Sequence, residues 1–272
     1  MSFFKKLSRA FVPSDKDAAR GKEGCRAYAI GDIHGRLDLL ELLLKRIDED
    51  IAGRTRVRTF IIFLGDYIDR GPDSAAVIER LRTYKPGQAT PIFLSGNHEE
   101  VLLKILAGER GIFASWLKFG GAECAESYGM DVAALKRLDE ASAIALIQAK
   151  VPRAHREFLE NCADTFRFGD YLFVHAGIRP GVAMDEQDRS DLRWIRDPFL
   201  SDAKDHGFVV VHGHTIVERV EERPNRIAID TGAYHSGILT CLVVEEGERW
   251  YLTTQAPEAD RSQTGERLRS VG

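Results

Sequence analysis

Cysteine is scarce and unpatterned in this chain: Cys25, Cys124, Cys162 and Cys241 are scattered through 272 residues without a C-x-x-C pair. That argues against a disulfide framework and for reduced thiols in a cytosolic protein. Positive charge is not in excess either. Against 38 Lys and Arg stand 42 Asp and Glu, a net charge of −4, so the basic stripe of a nucleic-acid binder is missing. No apolar run approaches the roughly 20 residues of a membrane span. The opening segment lacks the apolar core of a signal peptide, so a cytoplasmic protein without stable membrane insertion is expected. A nucleophile elbow and a glycine-rich phosphate loop are absent too, and with them the usual carriers of serine-ester and P-loop chemistry.

What remains is 44% apolar sequence, enough for one substantial core and one α/β domain. Its expected limits are residues 25–255, between flexible tails at 1–24 and 256–272. Met1 to Val12 mixes Phe3, Phe4, Leu7 and Phe11 with Lys5, Lys6 and Arg9. A polar tail is favoured there over a short membrane-touching helix.

Three loops dominate the domain: Gly31-Asp32-Ile33-His34-Gly35, Gly65-Asp66-Tyr67-Ile68-Asp69-Arg70-Gly71 and Gly96-Asn97-His98-Glu99. Each follows an apolar, strand-like run and opens a helix-like stretch. Asp32, Asp66 and Asn97 stand 34 and 31 residues apart, close to the roughly 30 residues of a βαβ unit. The pattern predicts strands at 26–31, 58–65 and 90–95 alternating with helices at 36–50, 73–84 and 98–107. The first helix should bury Leu37, Leu40, Leu44 and Ile47, and Asp73 or Ser74 should cap the second. From 108 to 168 the sequence reads as a helical insertion, either a wall beside the site or outer-layer packing. Strands return at Tyr171–Val174, 208–211, 226–229, 237–244 and 250–254, the last two as a hairpin. Two sheets packed face to face with helices outside would bury both sets.

Successive strand ends thus release Asp32, His34, Asp66 and Asn97 at one sheet edge. An extended chain through Ile33 would aim Asp32 and His34 to one face. Later strands end in His175 and His214. Carboxylate, amide and imidazole suit a divalent cation of borderline hardness. Six ligands exceed the need of one ion, so two ions sharing Asp66 is the economical reading. His98 follows Asn97 directly and would protonate a leaving group, with Asp69 keeping it oriented and charged. Arg70 offers a planar fork to phosphate oxygens. A second such Arg is expected at Arg196, with Arg193 in reserve. Glu99 would support the helix N-terminus or the ligands, and His212 has no assigned role.

The motifs GDIHG, GDYIDRG, GNHE, the HAG of 175–177 and the GHT of 213–215 occur in the order seen in the phosphoprotein phosphatase family of metallophosphoesterases. The chain resembles that family, and its members of the bacteriophage lambda phosphatase type, over residues 26–254. The resemblance implies a four-layer α/β/β/α sandwich of two mixed sheets flanked by helices. It implies two divalent ions, Mn²⁺ foremost and Fe²⁺ or Zn²⁺ as alternatives. Asp32 and His34 would hold the first, Asp66 would bridge, and Asn97, His175 and His214 would hold the second. It assigns His98 and Asp69 to proton donation. The activity implied is phosphomonoester hydrolysis by a metal-activated hydroxide. Phosphorylated proteins, at serine or threonine and alternatively tyrosine, or small phosphoesters would be the substrates. Symmetrical diadenosine tetraphosphate hydrolysis is the alternative, and Asp69 favours the protein phosphatases.

Overall fold

The computed structural model describes residues 19–255. The segments 1–18 and 256–272, expected as tails, lie outside the described residues. Residues 19–24, also assigned to the tail, are held against the domain. Gly21 N–H donates to the Glu246 carbonyl at 2.6 Å, and the Arg20 carbonyl accepts from the Asp170 N–H at 2.8 Å.

The first half alternates as predicted: β1 (Cys25–Ile30), α1 (Leu37–Ala52), β2 (Arg58–Phe63), α2 (Ser74–Arg82), β3 (Thr90–Phe93) and α3 (Asn97–Leu106). α1 buries Leu39, Leu40, Leu43, Leu44 and Ile47, while Leu37 is only half-buried. Asp73 precedes α2 but its side chain makes no capping bond. The Ser74 hydroxyl instead accepts the Asp69 N–H at 2.9 Å. The helical stretch then runs through α4 (Phe113–Trp116), a π-helical turn (Leu117–Gly121), α5 (Ala122–Ser127), α6 (Val132–Leu135), α7 (Glu140–Lys150) and α8 (Arg153–Glu160).

Helix was expected up to 168, but Thr165–Phe168 is a strand, β4, paired antiparallel with β5 (Tyr171–Val174). The short Thr-Phe-Arg-Phe run has the alternation of a strand, and Gly169-Asp170 closes a two-residue hairpin turn. Next come α9 (Arg189–Trp194), β6 (Val209–His212), β7 (Glu221–Arg223), β8 (Arg226–Ala228), α10 (Ala233–Ser236), β9 (Thr240–Glu245) and β10 (Glu248–Thr253). Sequence reading passed over α9 and β7, a three-residue strand of charged side chains with no apolar alternation to mark it.

Two five-stranded mixed sheets result, ordered β10-β9-β1-β2-β3 and β4-β5-β6-β8-β7. β1, β2 and β3 are parallel, as are β5, β6 and β8; the pairs β9–β1, β10–β9, β4–β5 and β7–β8 are antiparallel. Strand alternation builds the layers. Ala27, Ala29, Phe60 and Ile62 face Phe168, Phe173, Val211 and Ile227 between the sheets. Tyr28, Ile30, Ile61 and Phe63 face α1, α2 and the insertion. Leu172, Val174 and Val210 pack outward on Leu192 and Phe199, so the fourth layer is thin, one short helix and a loop. The sandwich is the expected one. Because the parallel strands of each sheet point the same way, their carboxyl ends collect loops at one edge, where α/β sheets place ligands.

Candidate active site

The loops after β1, β2 and β3 and those after β5, β6 and β8 meet at this edge. Asp32, His34, Asp66, Asp69, Asn97, His98, His175 and His214 are all buried there. Backbone geometry is unusual: φ is +46° at His34, +50° at Asp66, +69° at Asp69, +67° at Arg70 and +62° at His214. The chain is therefore not extended through His34, and Asp32 and His34 do not share a strand face.

Donor atoms gather in two groups within 4.8 Å, His34–Asp66–His98 and Asp66–His175–His214, with Asp66 common to both. Its Oδ2 lies 3.5 Å from His34 Nε2, and its Oδ1 lies 3.4 Å from His175 Nε2. Each carboxylate oxygen thus serves a different group. Asn97 Oδ1 adds to the second, 3.0 Å from His175 Nε2 and 2.8 Å from His214 Nδ1. Asp32 stands outside these two groups. Its carboxylate accepts the His214 N–H, at 3.0 Å to Oδ2.

These donors fit a cation. The Nδ1 of His34 is 2.8 Å from the Ile68 carbonyl, and that of His175 is 3.0 Å from the Leu64 carbonyl. Each carbonyl accepts an Nδ1–H, which leaves both Nε2 atoms as lone pairs facing Asp66 oxygens; that of His34 also meets an Arg70 N–H, while that of His175 meets only acceptors. His214 Nε2 is buried with no partner. Acceptors crowded against acceptors in a dry site demand a positive charge among them. Burial keeps the imidazoles neutral, the form that binds metal. It lowers His34 and His175, and together with the neighbouring His175 it lowers His214 to about 3. Burial opposes the Asp66 charge, whereas a proton on any of the surrounding rings, His175, His98, His34 or His214, favours it, and the balance holds that carboxyl below its usual range.

His98 behaves differently. Its Nδ1 is 2.6 Å from Asp69 Oδ2. Burial would lower it, but the charges of Asp66 and Asp69 raise it to about 9. Arg70 reaches His34 Nε2 at 3.0 Å and His98 Nε2 at 3.2 Å, with its guanidinium over the Tyr234 ring. Glu99 does both jobs expected of it. Its carboxylate accepts the N–H groups of Gly96, at the start of α3, and of Asp66 and Tyr67, at 2.8–2.9 Å. Burial and the nearby Asp66 push its carboxyl up to about 7, against the pull of those donors.

A cavity of about 480 Å³ opens beside His98, lined by Asp69, Arg70, Asn97, Trp116, Phe119, Trp194, Arg196 and His214. Arg196 therefore reaches the site. Arg193 instead binds Asp164 at 2.5 Å and Glu100 at 3.4 Å. Among the described residues, Phe119 and Trp194, 61% and 40% exposed, are the two aromatic residues among the exposed large hydrophobic side chains. His212 is buried with its Nδ1 toward the Gly213 carbonyl and takes no part in either donor group.

Sequence reading missed Asp230 and Trp116. Asp230 is buried in the loop after β8, where burial raises its carboxyl to about 6. Burial and then Asp230 itself push Asp32 well up. Its signal was present: Ile229-Asp230-Thr231-Gly232 repeats the strand-then-Asp pattern of the other loops.

A family model described as calcineurin-like phosphoesterase matches residues 25–237. Serine/threonine-protein phosphatase 2 of Salmonella typhimurium is 28% identical over 228 residues, covering 78% of this chain and 90% of its own. The asymmetrical bis(5'-nucleosyl)-tetraphosphatase PrpE of Bacillus velezensis is 25% identical over 249 residues, covering 84% and 92%. Among solved structures, a candidate diadenosine tetraphosphatase superposes with a TM-score of 0.59 at 20% identity, covering 86% of this chain and 98% of its own, a likeness of fold. Among the described residues no helix is long and apolar enough to cross a membrane.

Proposed function

The chain belongs to the calcineurin-like phosphoesterase family and is a phosphoester hydrolase; we propose that it is a metal-dependent phosphomonoesterase acting on phosphorylated proteins, at serine or threonine first. One observation carries the reading: His98, at the edge of the first of two donor groups that share Asp66, is paired at 2.6 Å with Asp69 and opens on the cavity. Asp32, His34 and Asp66 would hold one divalent ion, and Asp66, Asn97, His175 and His214 the other, with Mn²⁺, Fe²⁺ or Zn²⁺ suited to these donors. When bound, such ions polarise phosphoryl oxygens and bring the pKa of water near neutrality.

The protein's own groups do the rest. Arg70 and Arg196 receive phosphate oxygens from two sides of the cavity. As the bond from phosphorus to the leaving oxygen breaks and one to the water oxygen forms, His98 donates its Nε2 proton to the leaving oxygen. Asp69 on Nδ1 keeps the ring oriented and stabilises its charge. The proton released by water restores His98 through solvent, so ester and water become alcohol and phosphate.

Full-length relatives named as tetraphosphatases favour one second reading, hydrolysis of dinucleoside polyphosphates. Purified protein with Mn²⁺ should hydrolyse phosphoserine and phosphothreonine peptides with a higher kcat/KM than diadenosine tetraphosphate. The reverse order would establish the second reading.

A further inference from the structure

The helical insertion touches the proton-donating pair, and one of its side chains places a directional hydrogen bond on Asp69. Asp69 is fully buried, and its polar groups are all engaged. Its N–H donates to Ser74 Oγ at 2.9 Å, and its Oδ2 faces His98 Nδ1 at 2.6 Å. Its other oxygen, Oδ1, accepts the indole N–H of Trp116 at 3.2 Å. Trp116 closes α4, within the insertion, and is 3% exposed.

The turn that follows is shaped to this contact. Gly120 accepts the Arg70 N–H at 3.0 Å through its carbonyl. Its φ is +111°, and a Cβ there would stand 2.6 Å from Arg70 N. At Gly121 a Cβ would meet the Trp116 ring at 2.2 Å. Both glycines are required by close approach, one to Arg70 and one to the indole. The insertion therefore seats itself on Asp69 and Arg70, consecutive residues in the left-handed region that need their surroundings to hold them there.

We propose that Trp116 is a positioning residue for proton donation. A carboxylate bonded at one oxygen can turn about its Cβ–Cγ bond. A second donor on the opposite oxygen fixes its plane, and so fixes Oδ2 against His98 Nδ1 and the direction of His98 Nε2. The proposal rests on His98 being the acid of the reading above.

The test uses the rate ratio between an alkyl ester, a phosphoserine peptide, and p-nitrophenyl phosphate, whose leaving group departs with little help from a proton. Both rates come from one preparation of the full-length, Mn²⁺-loaded protein, so the ratio is independent of how much of it is folded. Trp116→Phe keeps the ring and removes the N–H; it should lower the alkyl-to-aryl ratio about tenfold, a part of the roughly 10²–10⁴-fold that a positioned acid supplies. His98→Asn should lower it further, and Trp116→Phe should add nothing to Asp69→Asn, since the two act through one bond. A wild-type ratio in Trp116→Phe, with His98→Asn lowering it, overturns the role of Trp116 alone. A wild-type ratio in His98→Asn overturns the acid assignment and the proposal with it. A wild-type protein inactive on both esters overturns the phosphomonoesterase reading itself.

Discussion

Five of the six non-glycine residues with positive φ among the described residues are His34, Asp66, Asp69, Arg70 and His214. Each such conformation costs about 1–2 kcal/mol for an L-residue, so the surroundings must over-determine it. They do: the N–H groups of Ile33 and His34 both bond the Asp66 carbonyl, and the N–H of Arg70 bonds Gly120. Strain is thus concentrated on residues that the sequence already marked by their place after strands. Asp230 carries the same mark, following the strand residues Arg226–Ala228 and Ile229. Trp116 carries none. It lies 47 residues from Asp69 and reaches it only through the folding of the insertion, so no local pattern announces it. At this scale Asp66→Asn is the informative change. It replaces one of the two oxygens that face separate donor groups by an N–H₂ donor. Bound Mn²⁺, measured by elemental analysis, should fall below the wild-type stoichiometry, and kcat should drop more than about a hundredfold, beyond what outer-shell changes produce. Wild-type metal content in this variant would show that Asp66 does not bridge.

Among the elements, long amphipathic helices and apolar parallel strands were readable because their periods extend over many residues. Short pieces were not: β4 has four residues and β7 three, too few for a period to stand out beside neighbouring helices. The β9–β10 hairpin was readable from its charged turn, yet its strain was not. Glu246 in that turn has φ +46°, and its ion pair with Arg20 spans 3.5 Å between side chains 60% and 50% exposed. An exposed pair of this kind contributes little, whereas the left-handed backbone costs more than glycine's extra freedom in the unfolded chain. Glu246→Gly should therefore stabilise the protein by about 0.5–1 kcal/mol, read as a higher denaturant midpoint at unchanged slope. A lower midpoint would mean that the Glu246 side chain does more than the pair with Arg20 indicates.

On the scale of the whole molecule, the two sheets are joined by an apolar layer along their length and by the candidate site at one edge. His34 and Asp66 hang from the first sheet, and His175 and His214 from the second. A cation held by both groups would bind only where the sheets are correctly packed, so its binding energy adds to folding stability. At a free Mn²⁺ concentration 100 times its Kd the gain is about 2.7 kcal/mol. At roughly 2–4 °C per kcal/mol for a domain of this size, Tm should rise by about 5–10 °C. Chelation before the melt should remove the rise, and further Mn²⁺ should extend it with the logarithm of concentration. The two sheets can be separated in this measurement. His34→Ala weakens the donor group on the first sheet and His175→Ala that on the second. If the ions are held across the sheets, each substitution flattens the dependence of Tm on Mn²⁺. If His175→Ala leaves the wild-type dependence intact, the metal is held by the first sheet alone, and the crowded lone pairs of His175 and His214 need another explanation.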